Sequence, residues 1–233
     1  MSKDVARDRL IDELDRLAGA RSDNAADEDF AARRGRFRQW QAGRLARTHA
    51  DLLESRRFHD AAVFFLTDLY GPQDLSRHTE DVRRIVPLIV KMLPAPAIET
   101  VADAIELDAL SEELDRAMIE CLGPAADELT SQAYADAYRR IGRRDQRNRQ
   151  IDLIAHLGHS LDGLTRQPFI GSALRVMRKP AEVAGLGGLQ SFLERGYGAF
   201  RTMRGSREFV DIVAGRERAI SDALFSGDDS VLG

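Results

Sequence analysis

The sequence predicts an all-α protein that folds as a single compact bundle of roughly nine or ten helices. Apolar residues recur at intervals of three and four over most of the 233-residue chain. That spacing places them on one face of an α-helix. No stretch alternates apolar and polar residues as a half-buried strand would. Glycine and proline interrupt the pattern repeatedly, so it divides into several separate helices.

The first two predicted helices are amphipathic. The first has three leucines on one face: Leu10, Leu14 and Leu17. The chain then becomes polar, and Asp23 or Asn24 could cap the second helix, because such side chains accept hydrogen bonds from the free N–H groups of a first turn. The second helix carries an apolar set that ends at Leu52: Phe30, Phe37, Trp40, Leu45 and Leu52.

The segment AVFFLTDLYGPQDLS, at 62–76, predicts a third helix and its end. Its apolar residues cover most of the helix circumference, so we expect burial on several sides. Gly71 stands where a left-handed residue can end the helix, and Pro72 cannot continue it. A further apolar set indicates a helix over 82–93, which Pro87 should kink.

The stretch 98–122 predicts a helix whose apolar face changes halfway along. The apolar residues of its two halves fall on nearly opposite sides of a helix. They are Ile98, Val101, Ala102 and Ile105 in the first half, and Leu107, Leu110, Leu114 and Cys121 in the second. Either one helix packs against different partners at its two ends, or the chain bends near Asp108.

The rest of the chain predicts further helices without a linker. Helical patterns run over 133–141 and 145–164, and a glycine-rich stretch then leads to a last helix that ends near Leu224. We therefore predict one all-helical domain at 1–225 and a flexible tail at 226–233.

Composition restricts the class of protein. A formal net charge of -4 excludes a polycation that binds nucleic acid through its total charge. One cysteine, Cys121, excludes an intramolecular disulfide. No apolar run approaches the roughly 20 residues of a membrane span, and the first residues lack the apolar stretch of a signal peptide. We expect a cytoplasmic protein with no membrane partner.

The FFLTDLY motif at 64–70 resembles the FFLEELY motif of an uncharacterised bacterial protein family. Thr67 and Asp68 stand where that family commonly has two glutamates. The resemblance continues through YGPQDLSR, ELDALSEELD and MRKPAEVAGLGGLQSFLERGYGAF, so it covers about residues 56–224. It implies membership of the family and no particular activity. Threonine at the first acidic position argues against an indispensable catalytic acid there.

Helix packing and helix termination explain most of this motif, but they do not explain Tyr70. Its hydroxyl needs a hydrogen-bond partner if it is buried. Arg57, Asp74 and Arg77 are close enough in sequence to supply one. A structural polar cluster is the simpler interpretation, and a small anionic ligand bound by Arg57, Tyr70 and Arg77 is the alternative.

Asp152, His156 and His159 are the candidates for a metal site. Their spacing places all three on one face of a predicted helix, where they could share an ion. The apolar stripe of that helix lies roughly opposite, whereas a metal site in a bundle core needs its ligands to point inward. A solvent-exposed polar face is therefore favoured, and no cofactor is assigned.

Six arginines lie within YRRIGRRDQRNRQ: Arg139, Arg140, Arg143, Arg144, Arg147 and Arg149. Such a cluster could bind phosphate. The chain is negatively charged overall, and Tyr138 is the only aromatic residue in the cluster. Neutralisation by nearby acids is therefore favoured over nucleic-acid binding.

Two hypotheses for function follow. The leading one is a non-catalytic protein that binds a protein partner or self-associates, because the chain has many amphipathic helices and no convergent catalytic set. It predicts an exposed apolar patch. The alternative is a helical-bundle enzyme or sensor that holds a metal, haem or a small anionic ligand, and it predicts a deep cavity with converging histidine or arginine side chains.

Overall fold

The computed structural model describes residues 2–25, 28–69, 86–87, 90, 95–167, 169–183 and 187–232. Within these ranges it has ten α-helices and no strand, which confirms the predicted fold class. The first five helices are α1 (Lys3–Ala25), α2 (Glu28–Thr48), α3 (Ala50–Glu54), α4 (His59–Phe64) and α5 (Ala95–Leu122). The other five are α6 (Ser131–Ile141), α7 (Arg144–Thr165), α8 (Ile170–Val183), α9 (Gly187–Thr202) and α10 (Arg207–Ser226). A π turn follows α4 at Phe65–Leu69, and 3-10 turns lie at Gly123–Ala126 and Ser230–Leu232.

Helix α5 organises the bundle, since α1, α2, α6 and α7 all pack on it. It is continuous over 28 residues, and its two apolar faces pack against different partners. Ala102 and Ile105, in its first half, pack with the leucines of α1. Met118 and Ile119, in its second half, pack with α6 and α10. Each large apolar side chain buried in this way contributes about 1.5–3 kcal/mol to stability.

A second apolar core lies between the α3–α4 segment and helices α9 and α10. Its members include Leu52, Phe58, Phe64, Phe65, Phe200, Met203, Phe209 and Val213. The rings of Phe64 and Phe192 lie 5.3 Å apart between centroids, and those of Phe58 and Phe209 lie 5.8 Å apart. The two adjacent phenylalanines of the FFLTDLY motif are therefore core residues.

Glycine permits two close approaches between helices. A Cβ atom on Gly158 of α7 would lie 2.5 Å from Cγ2 of Val210 in α10. A Cβ atom on Gly196 of α9 would lie 2.9 Å from Cζ of Phe64. Both distances are shorter than carbon atoms tolerate in a packed interior, so these glycines set how closely the helices approach.

Two helix boundaries differ from the prediction. Helix α1 continues to Ala25, so Asp23 and Asn24 lie in its last turn. Helix α2 ends at Thr48, and Leu52 belongs to the separate helix α3. A polar run shows where the buried face of a helix ends, but the helix itself can continue beyond that point. Exposed polar residues disfavour a helix by less than about 1 kcal/mol each.

Other predicted features lie outside the described residues or remain untested. The helix end at Gly71 and Pro72, and most of the helix over 82–93, fall outside them. The division into a domain at 1–225 and a flexible tail at 226–233 stays a prediction, although Leu232 is buried beside α6 and α10. None of the helices described is long and apolar enough to cross a membrane.

Candidate interaction surface

Helices α8 and α9 pack on each other as a hairpin. Gln190 Nε2 donates a 2.6 Å hydrogen bond to the carbonyl oxygen of Leu174. Across the same interface the Arg178 guanidinium donates to both carboxylate oxygens of Glu194, at 2.6 and 3.1 Å. A polar bond and a two-point ion pair therefore fix the two helices side by side.

Helix α9 joins this hairpin to the rest of the protein. Its Ala199 and Phe200 are buried in the second apolar core, and its Phe192 ring contacts Phe64 of α4. Helix α8 packs on α9 and on the end of α7. It is therefore the outer helix of the hairpin, and one of its sides faces solvent.

The hairpin and the residue before it expose large apolar side chains, which together we call the apolar face. The described residues include eight exposed large hydrophobic side chains, and five belong to this face: Phe169, Val176, Met177, Val183 and Leu193. Val176 is 74% exposed and Val183 is 91% exposed. Single exposed apolar residues are ordinary, whereas a group on one hairpin is a candidate binding surface.

The apolar face is also basic. Six exposed residues of α8 follow one another at the three- and four-residue spacing of a single helix side: Ser172, Arg175, Val176, Lys179, Pro180 and Val183. Arg175 makes a hydrogen bond of 3.2 Å to the carbonyl oxygen of Gly171 in its own helix. Two cations and two valines thus share the side of α8 that faces solvent, and the exposed acid Glu182 lies on the same side, seven residues after Arg175.

Arg57, predicted to contact an anion, ties two parts of the fold together. Its guanidinium donates hydrogen bonds of 2.6 to 3.1 Å to three acceptors: the Glu208 carboxylate and the carbonyl oxygens of Met203 and Gly205. It therefore holds the loop between α9 and α10. Tyr70 and Arg77 lie outside the described residues, so the anion site formed with them stays a prediction.

The three predicted metal-site residues each face a different partner: Arg218 for Asp152, Asp103 for His156 and Asp211 for His159. Both histidine side chains are exposed. Over the described ranges, no group of three or more histidine, cysteine, aspartate or glutamate side chains could hold a metal ion. The spacing on α7 therefore gives a polar face on which each residue pairs with a neighbouring helix.

The predicted arginine cluster is partly neutralised by acids. Its paired members are Arg139 with Asp229, Arg144 with Asp222, and Arg149 with Glu106. These ion pairs link α6 to the last turn, α7 to α10, and α7 to α5. Their guanidinium groups serve contacts between helices, as the favoured interpretation of the cluster predicts.

Arg147 differs from the other members of the cluster because it is buried, with 6% exposure. Its guanidinium lies 4.8 Å from the centroid of the Tyr138 ring, and Nη1 donates to Gln150 at 3.2 Å. Nε and Nη2 have no hydrogen-bond partner in the described part of the chain. Asp115 and Arg147 attract each other, but no carboxylate of the described residues bonds to these two nitrogen atoms, so this position suits a water molecule or a small anion.

A buried charged network between α2 and α5 was not foreseen from the sequence. Glu112 is fully buried and accepts hydrogen bonds from Arg34 and Arg38. Asp115, one turn later, accepts from Arg38 at 3.1 Å and from Gln41 at 3.3 Å. The spacing of the arginines at four residues and of the acids at three could have indicated facing helices.

The two carboxyl groups of this network have opposite pKa shifts. Burial opposes the ionisation of Glu112, but the attraction of Arg38 and Arg34 is greater and holds its pKa below the ordinary value. Burial of Asp115 outweighs the attraction of Arg38 and Arg147, and raises its pKa. Glu112 is therefore the fixed negative charge that binds α2 to α5.

The comparisons with known proteins identify a family for this chain but no activity. A family model described as "Domain of unknown function (DUF8198)" matches residues 20–231. The comparison with curated proteins and the comparison with solved structures found no match.

Proposed function

The chain belongs to the family described as Domain of unknown function (DUF8198), and on that premise we propose that it is a non-catalytic interaction module. Its binding surface is the apolar face of the α8–α9 hairpin. The main support for this proposal is the exposure of Val176 and Val183, which are 74% and 91% exposed. We also propose that it works in the cytoplasm, since a single cysteine suits a reducing compartment. Because the chain carries the FFLTDLY motif, we also propose that this family is the bacterial family that carries the FFLEELY motif.

The energetics favour a partner for this surface. Burying a valine side chain contributes about 1.5 kcal/mol or more, and larger apolar residues contribute up to about 3 kcal/mol. Phe169, Met177 and Leu193 add larger side chains to the two valines. A few such residues supply most of the free energy of a typical protein interface. The Gln190 and Arg178 contacts hold the hairpin in shape beforehand, which reduces the entropy lost on binding.

Site-specific photo-crosslinking tests this proposal. A photo-crosslinking amino acid placed at Val176 should form a covalent adduct with a protein in living cells. The control is the same amino acid at Ala125, which is exposed in the Gly123–Ala126 turn and away from the hairpin. We expect adducts at position 176 to exceed those at position 125. Equal yields at the two positions, or no adduct at 176, would refute the proposal.

Arg147 supports a second candidate, a sensor that holds a small anion. Its two unpartnered nitrogen atoms lie in the interior, where an anion would remove the cost of the buried charge. A bound ligand raises thermal stability by mass action. Inorganic phosphate should therefore raise the melting temperature of the wild type and have little effect on Arg147→Met. Arg144→Met is the matched control, because Arg144 is exposed and pairs with Asp222. Equal effects of phosphate on all three proteins would exclude the site.

A further inference from the structure

We propose that the partner of the apolar face is helix α1 of a second copy of this chain. The inference rests on the proposed function and specifies what binds there. It follows from the charges and the apolar residues on two exposed helix sides, one on α8 and one on α1.

The exposed side of α1 is acidic and partly apolar. Its exposed acids are Asp4, Asp8, Asp12 and Asp15, and Asp4 and Asp8 also pair with Arg7 of the same helix. Val5 and Ile11 lie among them and are 50% and 37% exposed. The opposite side of α1 is covered by α5, because the leucines on that side are buried against it. The acidic side is therefore the one that α1 offers to another molecule.

The two helix sides match in charge and in length. On α8 the cations Arg175 and Lys179 alternate with Val176 and Val183, whereas on α1 the acids surround two apolar residues. At 1.5 Å per residue, the 14 residues of α8 span about 21 Å, and the acidic stretch of α1 spans about 18 Å. Packing one helix along the other would bury the apolar side chains at the centre and pair opposite charges at the edges, as stable interfaces do.

The contact would be heterologous. Helix α1 packs on α5 and α2, whereas α8 packs on α9 and α7, so each copy carries two different binding sides. A contact between different surfaces repeats from copy to copy and gives rings or open chains. Self-association should therefore increase with protein concentration. It should weaken as salt screens the charges.

Charge reversal on each side is the decisive experiment. One variant carries Asp8→Lys and Asp12→Lys, and the other carries Arg175→Glu and Lys179→Glu. In sedimentation velocity, each variant alone should associate at least about 10-fold more weakly than the wild type. An equimolar mixture should recover association, because the reversed α1 of one variant meets the reversed α8 of the other. Circular dichroism confirms that both variants remain helical.

The control for the first variant carries Glu54→Lys and Glu128→Lys, which makes the same change of total charge as Asp8→Lys with Asp12→Lys, at two exposed acids of other segments. It should associate like the wild type. A wild type that stays monomeric, a control that weakens association equally, or a mixture that stays dissociated would each overturn the inference. If an adduct at position 176 contains a different protein while the charge variants leave self-association unchanged, the proposed function stands and this partner is wrong. If no adduct forms at position 176, the proposed function fails as well.

Discussion

Replacing Glu112 by glutamine should destabilise this protein severely. Glu112 is fully buried, and its carboxylate accepts hydrogen bonds from Arg34 at 3.0 Å and from Arg38 at 2.9 Å. Glutamine keeps the size of the side chain but removes the charge that balances these guanidinium groups. Removing one partner of a buried ion pair costs about 3–5 kcal/mol. Because single domains are stable by only about 5–15 kcal/mol, the urea midpoint should fall by roughly a fifth or more.

The next residue of α5 supplies the control. Glu113 also forms a two-point ion pair, with Arg16 at 2.6 and 2.7 Å, but both side chains are partly exposed. Pairs that water can reach contribute about 0–1 kcal/mol, so Glu113→Gln should unfold at nearly the wild-type urea concentration. Urea unfolding followed by circular dichroism measures both variants. Equal losses for Glu112→Gln and Glu113→Gln would refute the argument that burial sets the cost.

Three further perturbations follow from the structure. Gly158→Ala places a Cβ atom against Val210, so thermal unfolding should show a loss of about 1–3 kcal/mol. Val210→Ala should recover part of it, and a neutral Gly158→Ala would show that α7 and α10 separate easily. Leu114→Ala empties a fully buried position and should cost about 2–5 kcal/mol in urea unfolding; a loss below about 1 kcal/mol would contradict this packing. The hydrogen bond from Arg216 lowers the pKa of Asp51 to about 2. Its stabilisation is therefore complete above the ordinary value of about 3.9 and is lost as the pH falls towards 2. In an NMR titration, Arg216→Met should return this pKa towards the ordinary value, and an unchanged pKa would contradict the pairing.

The fold class could be predicted because helical periodicity is a local signal. The two apolar faces of α5 were visible in the sequence. In the structure one continuous helix packs on α1 in its first half, and Leu110 and Leu114 of the second face pack with Leu153 of α7. The end of α1 was misplaced by a few residues. The polar run after Leu17 marks the end of the buried leucine face, whereas the helix itself continues to Ala25.

The contacts between helices and the exposed surfaces were harder to predict because they depend on which helices meet. Arg34 and Arg38 reach the buried Glu112 across the α2–α5 contact. Gly196, in the glycine-rich stretch, admits the ring of Phe64. Val176 and Val183 fit the period of a core-facing helix. Their exposure is set by the position of α8 outside α9, which periodicity does not specify.

The packing of α1 on α5 has a practical consequence for the design of truncated versions of this protein. The family match begins at residue 20, yet Leu10, Leu14 and Leu17 are among the most completely buried side chains. A fragment that begins at residue 20 would lose those leucines and would expose the apolar side of α5 that includes Ile98 and Ala102. Such a fragment should be poorly soluble and prone to aggregate. The unit to express and to crystallise therefore includes the first helix, whatever length the shared family segment has.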